Sequence, residues 1–96
     1  MYGIDQDSWN RILSVLRGEP KIQEIILFGS RAKGTFQEGS DIDICLKGEH
    51  LDYHDLICLK GMVDDLDLPW EIGLLVYDMI DEPKMLEHIA RVGIKL

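Results

Sequence analysis

Covalent cross-links have almost no raw material in this sequence. It has two cysteines, Cys45 and Cys58, too few for a disulfide framework. Both stand among apolar neighbours, so they read as small core residues in a reducing compartment. Basic residues are scarce as well: 10 Lys and Arg stand against 18 Asp and Glu, for a formal net charge of −8. A field of that sign repels phosphate backbones and excludes a broad nucleic-acid footprint. No apolar run approaches the roughly 20 residues of a membrane span, and Met1 to Asp5 has neither the basic nor the apolar region of a secretion signal. The expectation is a cytoplasmic protein without membrane contact. There are only three prolines, and no repeat or low-complexity stretch that would serve as a linker. With 96 residues, the reading is one domain over 1–96, with a small core.

Periodicity supplies the elements. Trp9, Ile12, Leu13 and Leu16 follow the i, i+3, i+4, i+7 rule of a helix face. Asp5 or Asp7 can cap that helix, and Gly18 and Pro20 end it. Residues 22–28 (IQEIILF) predict a strand that stops at a glycine. Gly29 to Gly39 predicts a loop with room for one helical turn near Arg31, Ala32 and Lys33. Residues 41–46 (DIDICL) alternate, with Ile42, Ile44 and Leu46 on one face and Asp41, Asp43 and Cys45 on the other. A second helix is predicted from Leu51 to about Leu66, with Asp52 as a cap. Leu68-Pro69 makes a break, and residues 71–77 (EIGLLVY) predict a third strand. Pro83 opens a last helix, with Met85, Leu86 and Ile89 inward and Gly93 past its end. That order describes an α+β domain, a small mixed β-sheet with helices packed on one face.

The chemistry concentrates in Phe28-Gly29-Ser30-Arg31 and in Asp41-Ile42-Asp43. Glycine lets backbone approach phosphate oxygens, and the N–H groups that follow form an anion-binding concavity. Ser30 adds a hydroxyl donor, and Arg31 and Lys33 read equally as cations for a triphosphate or a partner's acids and as ordinary exposed loop residues. Asp41 and Asp43, two apart on a strand, point the same way about 6–7 Å apart. They are hard oxygen ligands, and magnesium favours one or two carboxylates together with substrate phosphates. The paired acids have a plainer alternative as solvated charges that protect a strand edge.

Gly29-Ser30, ten residues, then Asp41-x-Asp43 resembles the nucleotidyltransferase superfamily typified by DNA polymerase β. It is most similar to the short stand-alone branch, the minimal nucleotidyltransferases (MNT proteins). The likeness extends through the Leu68-Pro69-Trp70 break to the Glu87-His88-Ile89 and Gly93 ending. It implies a polymerase β-like nucleotidyltransferase fold and ATP as substrate. It also implies Mg2+, one ion or two, on Asp41 and Asp43, with Gly29, Ser30 and Arg31 on the nucleotide. A third acid usually lies on the next strand of such proteins. Here that position is Gly73, and Glu71, two residues earlier on the same strand face, is the substitute candidate.

The resemblance further implies a partner. MNT proteins are often paired with a helical HEPN protein in what resembles a toxin–antitoxin system, so this chain would adenylylate a tyrosine of a HEPN-type toxin. A catalytically weak module that binds nucleotide and neutralises such a partner by contact is the alternative, and modification of a small molecule such as an aminoglycoside is a third reading. Trp9, Phe36, Tyr53 and Trp70 are candidate exposed aromatics for pairing, as homo- or hetero-oligomer. His50 and His54 read as a solvated helix start, and His88 as a surface residue. Met62, Met79 and Met85 read as core filler.

Overall fold

All 96 residues are described in a computed structural model, and its first helix begins where a carboxylate meets orphan N–H groups. Asp5 is the N-cap of α1 (Gln6–Arg17) and accepts from the Ser8 amide at 2.9 Å and the Ser8 hydroxyl at 2.7 Å. Trp9, Ile12 and Leu16 are buried along its inner face. Trp9 is therefore a core residue, not an exposed aromatic, and its indole N–H donates to the Met1 carbonyl at 3.0 Å.

Four strands follow in the spatial order β3-β2-β1-β4: β1 is Glu24–Phe28, β2 Ile42–Lys47, β3 Ile72–Val76 and β4 Ile94–Lys95. β1 runs antiparallel to β2 and β4, whereas β2 and β3 are parallel. A parallel pair needs a crossover, and α3 (Tyr53–Asp64) supplies it. Asp52 caps α3 in a reciprocal capping box with Asp55. Between β1 and β2 lies a short helix, α2 (Gly29–Lys33); a 3-10 turn (Tyr77–Met79) and α4 (Pro83–Val92) follow β3. β4 was not foreseen, since two residues after a glycine carry no alternation to detect. No helix is long and apolar enough to cross a membrane.

The mixed α+β sheet stands as expected, but helices cover both of its faces. Ile25, Leu27, Ile42, Ile44, Leu46 and Leu74 meet α1 and α3 in the main core. On the reverse face Ile26, Phe28 and Cys45 pack with Ile89 of α4. The reason is local: Ile25 to Phe28 is apolar without a break, so β1 needs cover on both sides. Two other expectations change. Cys58, Met62 and Met79 are exposed rather than core, because Leu59 and Val63 set the buried stripe of α3 and residues 58 and 62 fall off it. Met85 is half-buried.

Candidate active site

Antiparallel pairing of β1 with β2 sets Phe28 opposite Asp43, so the residue after β1 arrives beside that carboxylate. That residue is Gly29, with φ +75°. A Cβ there would overlap the Asp43 carboxylate. Glycine is thus required twice, for the left-handed backbone and for the close approach. α2 starts at this point with no side-chain cap, which leaves its first N–H groups available to an anion. Gly34, at φ +80°, closes α2, and its N–H returns to the Ser30 carbonyl. Ser30 is half-exposed beside the glycine.

Asp41 and Asp43 lie on the sheet face that carries Cys45, opposite the main core. Asp41 is exposed and Asp43 half-buried. Burial pushes the Asp43 carboxyl above its usual range, the neighbouring Asp41 charge adds to this, and His88 opposes it. Two carboxylates that repel one another, with one partly desolvated, form a place where a divalent cation is electrostatically welcome. Their hard oxygens suit magnesium.

Two other expected site residues point elsewhere. The Arg31 side chain is 2% exposed. It donates to the Tyr2 carbonyl at 2.7 Å and to the Ser40 carbonyl at 2.8 and 3.1 Å. Its guanidinium stands over the Phe36 and Trp70 rings, 5.0 and 5.9 Å from their centroids. Arg31 is a strut between α2, the N-terminus and the residue before Asp41, so its guanidinium is not free for a triphosphate. Glu71 accepts from Lys60 Nζ at 2.9 Å and is largely exposed. Burial alone would push the Lys60 ammonium down, but hydrogen bonds to Asp64 and Glu71 outweigh this and hold it up. Glu71 is thus tied to α3 and does not converge with Asp41 and Asp43. Gly73, paired with Asp43 in the sheet, has a Cβ direction that ends 3.3 Å from Asp43 Oδ1. A side chain at 73 would reach the site directly.

The sequence pattern places His88 on the surface, yet it is half-buried, edge-on to Phe28 at 6.1 Å between centroids, and acts on the Asp43 charge. Only the packing of α4 against β1 brings it there; no local pattern could have shown it. His54 lies close to Asp52 and Asp55. Their oxygens already serve the capping box, and Asp55 pairs with Lys21 at 2.9 Å, so that group is a solvated helix start.

The model of the polymerase beta nucleotidyltransferases matches residues 10–96. The chain belongs to that family. It falls with the minimal nucleotidyltransferases, as its relatives indicate. A candidate protein adenylyltransferase of Methanocaldococcus jannaschii is 46% identical over 52 residues, which is 53% of this chain and 50% of that protein. The chain thus spans about half the length of that curated relative. A chain of a toxin–antitoxin crystallised with AMP-PNP is 29% identical, with a TM-score of 0.73, over 90% of this chain and 69% of its own. A chain from the Shewanella oneidensis complex of tri-AMPylated HEPN toxin with MNT antitoxin is 26% identical. Its TM-score is 0.69, over 99% of this chain and 71% of its own.

Proposed function

We propose that this nucleotidyltransferase moves AMP from ATP to a hydroxyl of a partner protein, a tyrosine of a HEPN-type toxin, and so acts as the antitoxin of a cytoplasmic pair. The observation that carries this is the apposition of the Gly29 turn and the Asp43 carboxylate. Gly29 and Ser30 would hold the triphosphate through backbone N–H groups and the Ser30 hydroxyl. Asp41 and Asp43 would hold Mg2+, which neutralises phosphate charge and polarises the phosphorus when bound. An acceptor hydroxyl attacks the α-phosphorus in line; the new P–O bond forms as the bond to the β-phosphate oxygen breaks, and pyrophosphate leaves. The hydroxyl proton goes to a base. Neither Gly73 nor the Lys60-bound Glu71 supplies one at Asp43. Adenylyltransferase and AMPylated-toxin relatives support the choice of AMP and of a protein acceptor.

That missing base favours a second reading, a nucleotide-binding module that neutralises its partner by contact with little transfer. Labelled ATP, magnesium and a purified HEPN-type partner separate the two. Label on the partner that disappears with Asp43→Asn supports transfer. Neutralisation that survives Asp43→Asn, with no label moved, supports the module and sinks the enzyme.

A further inference from the structure

Away from Asp41 and Asp43, the surface carries an apolar feature that the fold does not explain. A groove of about 400 Å³ is lined by Tyr53 and Leu56 of α3, Leu75 and Val76 of β3, and Met79 and Met85. Val76 belongs to the core on one sheet face, and Leu75 and Met85 to the core on the other. A groove lined from both faces runs over the outer edge of β3, the strand at the end of the sheet.

Strand edges are normally blunted by charge. Here only one end is: Lys60 Nζ donates to the Ile72 carbonyl at 2.6 Å. The other end, toward Val76, carries no such guard. Instead it has Tyr53 at 65% exposure and Met79 at 42%. Exposed apolar groups gathered at a strand edge mark a contact surface.

We propose that this groove docks the protein partner through a segment whose apolar side chains are flanked by lysine or arginine; the inference rests on the partner-directed reading above. Charge complementarity selects such a segment. Asp81 and Glu82 line the groove, Asp52 and Asp78 are exposed beside Tyr53 and Met79, and no lysine or arginine lines it; against these acids stands one flanking cation, Lys84 beside Met85. A second copy would bring the same acids face to face on two chains of formal charge −8, which disfavours self-pairing. The groove is also placed to serve the site. Met85 and His88 are three residues apart on α4, about 4.5 Å along the axis. One wall of the groove therefore leads to His88, which packs edge-on against Phe28, the residue paired with Asp43.

The four methionines provide the test, because Met79 and Met85 line the groove while Met1 and Met62 do not. The full chain with isotope-labelled methionine methyls is titrated with two synthetic amphipathic helical peptides of identical leucine face, one with lysine as its polar residue and one with glutamate. The lysine peptide is expected to move the Met79 and Met85 signals and leave Met62 in place. Tyr53→Ala and Met79→Ala, both at exposed positions and checked for an unchanged melting temperature, should each weaken binding about tenfold or more. Met62→Ala, an equally exposed control, and Asp43→Asn should not. Equal binding of the glutamate peptide, shifts centred on Met62, or concentration-dependent Met79 shifts without peptide would each overturn the proposal. Wild-type KM for a HEPN-type acceptor in both groove variants would also overturn it while leaving nucleotide transfer intact. Groove binding with no transfer would support the groove and sink only the transfer reading.

Discussion

On the proposed reading, Gly73→Asp should strengthen the metal site. Gly73 is paired with Asp43, and its Cβ would come 3.3 Å from Asp43 Oδ1, so the neighbour needs to give by only a few tenths of an ångström. The backbone at 73 has no positive φ, and any residue can adopt it. The cost is electrostatic. A third carboxylate roughly 5 Å from Asp43 adds repulsion of about 1 kcal/mol in water-like surroundings and about 3 kcal/mol at an effective dielectric of 20. For a chain of this size each kcal/mol shifts the melting temperature by about 4–8 °C, so the metal-free variant should melt clearly below the wild type.

Magnesium should reverse that order. An ion held by three carboxylates relieves the repulsion, so the rise in melting temperature with magnesium and ATP should be larger for Gly73→Asp than for the wild type. A carboxylate positioned to take the acceptor proton is worth about 10²–10⁴-fold in rate, read as labelled AMP reaching the partner per minute. Glu71→Gln provides the internal comparison. If Glu71 leaves Lys60 during turnover and supplies the base, this substitution lowers the wild-type rate by a similar factor and has no effect in Gly73→Asp. A folded Gly73→Asp chain with no greater magnesium response and no rate gain would refute the assignment of Asp43 as a metal ligand beside position 73.

Asp43→Asn should raise the melting temperature at pH 7 while removing the magnesium response. Burial and Asp41 raise the Asp43 pKa, so its ionised form opposes folding once the pH exceeds the ordinary carboxylate value, and the gain should vanish near pH 3, where the side chain is neutral in both states. Arg31→Ala removes a buried cation that serves two backbone carbonyls; urea unfolding should show a loss of about 2–4 kcal/mol. A thiol reagent should titrate Cys58 in the native chain but reach Cys45 only on unfolding, since Cys45 is buried and burial pushes its thiol up to about 11. Two native thiols reacting at equal rates would contradict the packing of α4 on β2.

What the chain order disclosed, and what it hid, follows from the range of the forces involved. The caps at Asp5 and Asp52, the alternation of β2 and the opening of α4 at Pro83 depend on residues within a turn or a strand, and each was legible. The Gly29 turn and the two aspartates were legible because one hairpin joins them. Arg31 was not: a cation in a glycine-rich loop gives no sign that Tyr2, Ser40, Phe36 and Trp70 will close around it. Glu71 shares a strand face with Gly73, but β3 is an edge strand, and its side chain can turn around that edge to Lys60. The position of His88 and the two-sided cover of the sheet depend on where α4 docks, and no spacing along the chain records that.

Two glycines flank the same carboxylate, and the physics separates them. At Gly29 a side chain is forbidden by both the backbone and Asp43; the absence is built into the fold, and any residue with a Cβ must push Asp43 aside. At Gly73 nothing in the backbone demands glycine, and the only neighbour of a Cβ closer than 4.0 Å is the Asp43 carboxylate itself. On the proposed reading Gly29 serves the phosphate cradle whatever the rate of transfer, whereas position 73 bears on the rate, and a carboxylate there costs the metal-free fold only its repulsion with Asp43. If the proposed roles hold, a site of this form would keep the parts that bind a nucleotide and lack the part that hastens proton removal. Binding and catalysis should accordingly respond to different substitutions: Gly29→Ala should abolish both nucleotide binding and transfer, and Gly73→Asp should change transfer far more than nucleotide affinity, as equilibrium binding of labelled ATP beside the transfer assay would show.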